Sequence, residues 1–295
     1  MTSTEPAATA TLFLVSTPIG NLEDITLRAI RTLKECETIA AEDTRHSRKL
    51  LSHLGIEGKV VTTLNAHSRD KDIKGLTDTL LAGKSVALVT DAGTPSVSDP
   101  GGALVRRAIE LDIAVTVIPG PSAVTGAIAI SGLGESGFLF LGFLPRKGDK
   151  RRQAIGRILV STEPVVVFES PKRARQCIED LAAILPDRDA VIVRELTKLH
   201  EQVLRGSLAG LAAAEWEGRG EFTIVIGGAI ESDVVDPALL DTSISRLLAA
   251  GLSSKDAASE LARAGLGKKR DIYSRILELR LRESEEKPEI SSDSS

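Results

Sequence analysis

Loops rich in glycine and proline follow several predicted strands, and such loops let backbone atoms approach a ligand closely. The clearest is Asp91-Ala92-Gly93-Thr94-Pro95, which follows the apolar run Val86–Val89 after one threonine. Asp99 and Pro100 then favour the start of a helix, because aspartate caps a helix N-terminus and proline fits its first turn. In open α/β sheets, ligands bind beyond the carboxyl ends of the strands. This strand–loop–helix pattern therefore predicts a ligand-binding loop.

Two further loops of the same kind follow other predicted strands. Pro18-Ile19-Gly20-Asn21 follows the first strand, and Pro119-Gly120-Pro121-Ser122 follows the strand that ends at Ile118. Taken alone, either loop could be an ordinary turn. Together with the loop after Val89, they predict one ligand pocket at one edge of a sheet.

The EDTRH run at residues 42–46 places carboxylates and cations at the end of another predicted strand. Asp43 could accept a proton or orient Arg45, and Arg45 could bind a phosphate through two hydrogen bonds. The alternative is that Asp43 only caps a helix and forms a surface ion pair. Other candidates for a proton acceptor are Glu169, Glu195 and Lys198. A lysine would need a lowered pKa for this role.

Positive charge is concentrated in three segments, although the chain as a whole has a net charge of −4. Contact with a nucleic acid would therefore depend on local patches. Basic runs are most often solvated surface, but two of these segments flank strand-end loops, which favours phosphate contacts. The candidate residues are Arg146, Lys147, Lys150, Arg151, Arg152, Lys172, Arg173, Lys268, Lys269 and Arg270.

Several protein classes do not fit the composition. Aromatic residues make up only 3% of the chain, which counts against an RRM or OB type of base-stacking surface. The two cysteines form no CxxC motif, and the four histidines show no spacing typical of metal ligands. Residues 132–137 match GxGxxG, but a helix precedes them and a strand follows, the reverse of a dinucleotide site. The lack of a signal peptide or a long apolar run predicts a cytoplasmic protein that does not contact membranes.

Strand and helix patterns alternate over residues 11–123, which predicts an α/β domain with a mostly parallel sheet covered on both faces. A second α/β domain is predicted over residues 124–231. Three short helical patterns over residues 237–282 predict a small C-terminal module that resembles a helix-turn-helix. The polar segments 1–10 and 283–295 are predicted to be disordered tails.

A set of motifs spread over residues 11–282 resembles one known family. The set comprises STPIGNLEDIT, AEDTRHSRKLL, TDAGTPSVSDPG, PGPSA, GFLPRK, FESPKR and RELTKLHE. It is similar to the bacterial 16S ribosomal RNA cytidine 2′-O-methyltransferases, which belong to the tetrapyrrole methylase superfamily. The resemblance implies two α/β domains with S-adenosylmethionine in the cleft between them, held largely by backbone. It also implies a homodimer that acts on 16S ribosomal RNA or on the small ribosomal subunit.

The resemblance further implies which residues contact the cofactor. These are Pro18, Asp91, Ala92, Gly93, Thr94, Ser122, Ala123, Phe168 and Leu196. The cofactor carries the activated methyl group, so the protein mainly aligns the two reactants. A ribose 2′-hydroxyl is a poor nucleophile and would benefit from a positioned base. Asp43 and Arg45 are the first candidates for that catalytic role.

Two other functions use the same sequence features. A tetrapyrrole C-methyltransferase of the precorrin type would share the cofactor loops, but it would need neither the basic segments nor the helical module. A non-enzymatic RNA-binding or assembly factor would need the basic segments, but it would not need three cofactor loops. The general base, the nucleotide that is methylated and the assembly state of the RNA substrate stay open.

Overall fold

The computed structural model describes residues 10–134, 137–229, 237–263 and 266–285, and these residues form two compact units. The first unit ends at Gly126 and also includes Glu195–Glu201, while the second contains the other described residues. Residues 1–9 and 286–295 of the predicted tails lie outside the described residues, as does the segment 230–236. The last described helix ends at Glu285, inside the segment predicted as a tail.

The sheet of the first unit has five strands, all parallel, in the order β3-β2-β4-β1-β5. Its strands are β1 (Thr11–Val15), β2 (Thr38–Ala41), β3 (Val60–Thr63), β4 (Val86–Val89) and β5 (Ala114–Ile118). Apolar side chains point to both faces and form two separate core clusters, one around Ile39 and one around Leu88. A parallel sheet buried on both faces is the arrangement that the alternating pattern predicted.

Helices connect these strands. They are α1 (Leu27–Glu35), α2 (Thr44–His53), α3 (Asp70–Leu81) and α4 (Gly102–Glu110), with a short 3₁₀ turn at Leu22–Asp24. A further helix, α5 (Ala123–Ser131), follows β5. Thr26 caps α1 by accepting a hydrogen bond from the Ala29 N–H at 3.1 Å. The predicted helix start at Asp99 and Pro100 is wrong, because α4 is capped by Gly101 and begins at Gly102. Gly101 has a φ of 126°, and a Cβ there would lie 2.8 Å from Leu88 Cδ2. Only glycine therefore fits this cap.

The sheet of the second unit is mixed, in the order β6-β7-β10-β8-β9. Its strands are β6 (Leu139–Phe143), β7 (Val165–Glu169), β8 (Asp189–Arg194), β9 (Gln202–Ser207) and β10 (Phe222–Ile226). The β6–β7 pair is parallel, and the other three pairs are antiparallel. The sequence pattern does not predict β9, because QVLRGS is largely polar and alternates weakly.

Six helices complete the second unit: α6 (Asp149–Val160), α7 (Pro171–Ala182), α8 (Leu208–Ala213), α9 (Pro237–Ala249), α10 (Ser254–Arg263) and α11 (Lys269–Glu285). Its apolar core is continuous from the sheet into the three C-terminal helices, and it includes Ile192, Ile244 and Ile276. Gly156 on α6 allows this close packing, since a Cβ there would lie 3.0 Å from Leu252 Cδ2. Among the described helices, none is both long and apolar enough to span a bilayer.

Both sheets, with their covering helices, confirm the predicted α/β class. The C-terminal helices also match the predicted all-α segment in type. They share a core with the second sheet, so they are packed as part of that unit.

Candidate functional site

The loops that follow β1 and β4 are joined directly by backbone hydrogen bonds. The Thr17 N–H donates to the Gly93 carbonyl at 2.9 Å, and the Gly93 N–H donates to the Thr17 carbonyl at 3.0 Å. The Thr17 hydroxyl also donates to the Thr90 carbonyl at 3.0 Å, and the Ser16 and Thr94 hydroxyls are 2.9 Å apart. The ends of β1 and β4 therefore form one rigid ledge of backbone and hydroxyl groups.

The third loop packs against the same end of β1. The Ser16 N–H donates to the Ile118 carbonyl at 3.1 Å. A Cβ on Gly120 would lie 2.9 Å from Ser16 Cβ, so this contact depends on glycine. Ser122 and Ala123 follow at the start of α5 and are half-buried. The sequence prediction that the three loops lie together is thus met within the first unit.

Residues 195–201 come from the hairpin between β8 and β9, yet they belong to the first unit. The Thr197 hydroxyl accepts a hydrogen bond from the Asn21 N–H at 3.2 Å. A Cβ on Gly20 would lie 2.4 Å from Lys198 Cγ and 3.0 Å from the Leu196 carbonyl oxygen, which requires glycine in this loop. Leu196 also packs against Gly126, because a Cβ on Gly126 would lie 2.9 Å from the Cδ2 atom of Leu196. Leu196 is thereby held beside the strand-end loops.

The backbone of this segment is strained. Glu195 and Thr197 have φ angles of 53° and 66°, in the left-handed region that ordinary residues seldom occupy. Lys198 Nζ lies 2.9 Å from Glu195 Oε1, and the Thr197 N–H donates to Glu201 Oε2 at 2.7 Å. These charged groups hold the turn, so they have a structural task in addition to any chemical one.

Strain also occurs in the loop between β4 and α4. Ser96 and Ser98 have φ angles of 69° and 66°. Ser96 Oγ is buried and makes no hydrogen bond with the residues that the structure describes. Unsatisfied polar atoms and strained backbone concentrate at ligand sites. The loop that carries Asp91, Ala92, Gly93 and Thr94 therefore has the features of a binding loop.

The structure argues against Asp43 as a proton acceptor. Its carboxylate caps α2 by accepting the Arg45 N–H at 2.8 Å, and it accepts two further hydrogen bonds from the Arg45 guanidinium at 3.2 and 2.8 Å. The hydrogen bonds from Arg45 lower the pKa of Asp43 to about 2. A carboxylate with such a pKa is a weak base at neutral pH. The helix-cap alternative describes this pair better.

A different carboxyl group, at Asp99, has properties suited to proton transfer. Asp99 is half-buried, and burial raises its pKa to about 6, while a hydrogen bond with Thr90 opposes the rise and the charges of Glu42 and Asp91 add to it. The Thr90 hydroxyl donates to Glu42 Oε2 at 2.7 Å, and the Asp43 N–H donates to Asp91 Oδ1 at 3.1 Å. Three carboxyl groups thus meet at the ends of β2 and β4.

The sequence missed this group because Asp99 resembles a helix cap beside proline. The signal that was present is the recurrence of acidic residues after β2 and β4 and again before α4. Within the described residues, these and other acidic, cysteine and histidine side chains form no group that could hold a metal ion.

Phe168, the remaining predicted cofactor contact, belongs to the second unit. It lies on β7 beside Phe140 and Phe143, with ring centroids 5.1 and 5.6 Å from theirs. Of the nine residues predicted to contact a cofactor, the other eight lie in the first unit. Its proposed role stays a prediction.

Three of the ten predicted RNA contacts are engaged within the protein. Arg151 pairs with Asp180 at 2.5 Å and is only 16% exposed, while Arg173 pairs with Glu169, whose side chain is fully buried. Arg152 pairs with Asp149. Arg151 and Arg173 are held by the fold, whereas the Arg152 pair is exposed on the surface of α6. Sequence alone cannot distinguish Arg151 and Arg173 from neighbouring cations on the surface.

The other predicted RNA contacts are exposed. Arg146, Lys147, Lys150 and Lys172 make no ion pair within the described residues. Lys268, Lys269 and Arg270 lie at the start of α11, and Arg270 is 3.6 Å from Asp271. These seven cations are available to a polyanion.

Comparison with known proteins identifies the family. Residues 11–212 match the family model of the Tetrapyrrole (Corrin/Porphyrin) Methylases. The chain is 43% identical over 270 residues to "Ribosomal RNA small subunit methyltransferase I" of Halalkalibacterium halodurans, covering 89% of this chain and 93% of that protein. It is 42% identical over 280 residues to the protein of the same name in Mesorhizobium japonicum, covering 94% and 93%.

Solved structures agree on the fold. Uroporphyrin III C-methyltransferase from Thermus thermophilus has a TM-score of 0.54 at 19% identity, covering 74% of this chain and 97% of that one. The methyltransferase CobJ has a TM-score of 0.58 at 16% identity, covering 76% and 97%. At these identities the likeness concerns the fold alone. From the family model and the relatives together, the chain belongs to the tetrapyrrole methylase family and, within it, to the ribosomal RNA small subunit methyltransferase I group.

Proposed function

We propose that this protein transfers the methyl group of S-adenosylmethionine to the ribose 2′-hydroxyl of a cytidine in the decoding region of 16S ribosomal RNA. The observation that carries the proposal is the identity of 42–43% with small-subunit RNA methyltransferases over about nine tenths of the chain. The rigid ledge formed by Thr17 and Gly93 supports it, because a methyltransferase must hold its cofactor in one orientation.

The residues at this ledge fit the cofactor. S-adenosylmethionine supplies an activated methyl group on a positively charged sulfur, and it has the hydrogen-bonding edges of a nucleoside. The carboxyl groups of Asp91 and Glu42 give the ledge negative charge, and Ala92 exposes backbone beside the left-handed Gly93. Ser96 Oγ is a buried hydroxyl that has no partner in the described part of the chain. The proposed contacts in this unit are Pro18, Asp91, Ala92, Gly93, Thr94, Ser122, Ala123 and Leu196.

Proton removal from the ribose hydroxyl is assigned to Asp99 in place of Asp43. A general base works best when its pKa is near the operating pH, and the pKa of Asp99 is raised to about 6. Thr90, whose hydroxyl is also bonded to Glu42, would orient the Asp99 carboxyl group through their side-chain hydrogen bond. Arg45 neutralises Asp43 and serves the start of α2.

RNA binding is assigned to the exposed cations of the second unit. Arg146, Lys147 and Lys172 lie near the ends of β6 and β7, and Lys150 lies in the first turn of α6. Lys268–Arg270 lie at the start of α11. Phosphate contacts of this kind give affinity without sequence selectivity, so they would set the salt dependence of binding. The family resemblance also supports a homodimer in the bacterial cytoplasm.

The alternative of a tetrapyrrole methyltransferase has less support. The structural neighbours with that activity share only 16–19% identity with the chain, a level that bears on fold alone.

Mass mapping of 16S ribosomal RNA tests the proposed reaction. RNA from cells that lack the protein should miss one 2′-O-methyl group on a cytidine, and the wild-type gene should restore it. Asp91→Ala should not restore it, because Asp91 accepts the Asp43 N–H and supplies negative charge beside the proposed cofactor loop. Asp187→Ala, at an exposed aspartate of the second unit, is the control and should restore it fully. An RNA map that is identical with and without the protein would refute the proposal.

A further inference from the structure

A β-bulge in β6 places phenylalanines on one face of the second sheet. Phe140 is opposite Val166, the next pair is Gly142 with Val167, and Phe143 is opposite Phe168. Leu141 is thus the extra residue, and Gly142 takes a φ of 65°. In a regular strand, residues three apart point to opposite faces. The bulge therefore turns Phe143 to the face that carries Phe140 and Phe168.

The three rings form one cluster, and one of them is largely exposed. Phe168 contacts Phe140 edge-on at a centroid distance of 5.1 Å, and it contacts Phe143 at 5.6 Å with the ring planes tilted by 58°. Phe143 is 54% exposed. The opposite face of the sheet, with Val165 and Val167, already packs against the core. Phe143 is thus held by the ring of Phe168, which Phe140 supports in turn, and it leaves much of its own surface to solvent.

Exposed cations follow Phe143 directly. Arg146 and Lys147 come three and four residues later, and Lys172 lies four residues after Phe168 at the start of α7. In the part of the chain that the structure describes, none of the three has an ion pair, and all are exposed. Residues 143–148, with the sequence FLPRKG, contain no acidic group. The segment that follows the exposed ring therefore carries positive charge.

Two engaged arginines fix the backbone between the ring and the cations. Arg173 donates to the Leu144 carbonyl at 3.1 Å, and Arg151 donates to the Pro145 carbonyl at 3.2 Å. Each arginine is itself held by a carboxylate, from Glu169 and Asp180 respectively. The loop thus has a defined shape, which lowers the entropic cost of binding a ligand.

We propose that Phe143 is a stacking surface for an unpaired nucleobase of the RNA substrate, with Arg146, Lys147 and Lys172 binding the adjoining phosphates. The inference rests on the proposed function and names a further contact for the same substrate. Unpaired bases stack on exposed aromatic rings, and a cationic border binds the backbone that links them. A second copy of this chain is a poorer occupant, because the positively charged segments would repel each other. The low aromatic content counts against an RRM or OB surface, but it does not exclude one cluster made by a bulge.

The test measures affinity for a fluorescein-labelled, twelve-nucleotide single-stranded RNA by anisotropy. Phe143→Leu keeps an apolar side chain but removes the ring, and it should weaken binding roughly 5- to 150-fold, the range for loss of one base–aromatic stack. Phe143→Trp should retain wild-type affinity or exceed it. Phe138→Leu is the matched control, since Phe138 is 37% exposed near the same strand but lies outside the cluster, and it should bind normally.

The cations are tested by the salt dependence of the same binding. Arg146→Gln with Lys147→Gln should lower the slope of log affinity against log salt by about 0.7 for each lost phosphate contact. Lys71→Gln, at an exposed lysine of α3, should leave the slope unchanged. An unchanged slope in the double variant would overturn the phosphate assignment.

Equal RNA affinity of Phe143→Leu and wild type would overturn the stacking assignment. If Phe143→Leu binds RNA normally but loses affinity for S-adenosylmethionine, Phe143 contacts the cofactor. If it binds RNA normally but changes its oligomeric mass, Phe143 contacts a second copy of the chain. Either result would also overturn the stacking assignment. Methyl transfer by the wild-type protein is measured separately on small ribosomal subunits. If the wild-type protein transfers methyl groups but Phe143→Leu binds RNA normally, only this inference is refuted. If the wild-type protein transfers no methyl groups but its RNA binding depends on Phe143, only the proposed function is refuted.

Discussion

Replacement of Asp99 by asparagine should stabilise the protein while removing activity. The Asp99 carboxyl is half-buried beside Thr90 and close to the charges of Glu42 and Asp91, which together with burial raise its pKa to about 6. Asparagine has nearly the same shape and can still bond to Thr90, but it carries no charge and accepts no proton. The variant therefore separates the effect of the half-buried Asp99 charge on stability from the role of Asp99 as a proton acceptor.

The size of the stability gain follows from the two pKa values. In the unfolded chain the carboxyl titrates near 3.8, and in the folded protein it titrates near 6. Between these values the folded protein binds more protons than the unfolded chain, so wild-type stability falls as pH rises through this window. The difference is worth about 3 kcal/mol for a fully buried group, and half-exposure reduces the expected gain of Asp99→Asn to about 1–2 kcal/mol at neutral pH.

Denaturant unfolding at several pH values checks this expectation. The gain of Asp99→Asn over wild type should be complete above the folded pKa of about 6 and should vanish below the unfolded value of 3.8. Methyl transfer by the variant should fall about 10²–10⁴-fold at neutral pH, the usual contribution of a positioned base. Wild-type kcat should rise with pH through about 6, since the acting form is the carboxylate. Asp187→Asn, at an exposed aspartate, should change neither quantity.

Two results would refute this reasoning. A stability difference that does not depend on pH would mean that the Asp99 pKa is not raised in the fold. A variant with wild-type kcat would mean that another group accepts the proton, whatever the pKa of Asp99.

Two further predictions concern the first unit. Gly20→Ala should lower the free energy of unfolding by about 1–3 kcal/mol through overpacking against Lys198 and Leu196. It should also weaken cofactor binding in a calorimetric titration. Gly75→Ala in α3 is the control, and it should be neutral or stabilising because a Cβ there meets no atom within 4 Å. Equal effects of the two alanines would refute the packing argument. Arg45→Ala should raise the Asp43 pKa from about 2 towards 3.8, as measured by carboxyl NMR titration, because the arginine supplies the largest favourable contact to the carboxylate. An Asp43 pKa that stays near 2 would mean that the helix cap alone sets it.

The sequence was sufficient to predict the first sheet and its loops, because these depend on local signals. Apolar runs such as Val86–Val89 end at glycine and proline, and regular alternation of strands and helices requires parallel pairing. The strand-end position of the three loops then follows from the topology. The hydrogen bonds between Thr17 and Gly93 add detail to that expectation without changing it.

Other features depend on contacts between distant residues, and the sequence did not reveal them. Asp99 has a helix-cap signal, yet its side chain meets Thr90, and Gly101 caps the helix instead. Arg151 and Arg173 look like surface cations until the carboxylates that bind them are known. The position of Phe143 depends on a single bulged residue, which pattern analysis cannot detect.

Transfer of labelled methyl groups in a purified system would detect the proposed reaction itself. Wild-type protein, S-adenosylmethionine carrying a labelled methyl group and small ribosomal subunits from cells that lack the protein are the only components. We expect one methyl group per subunit, on the 2′-oxygen of one cytidine. Label on a base, on no RNA at all, or only on an added tetrapyrrole would contradict it.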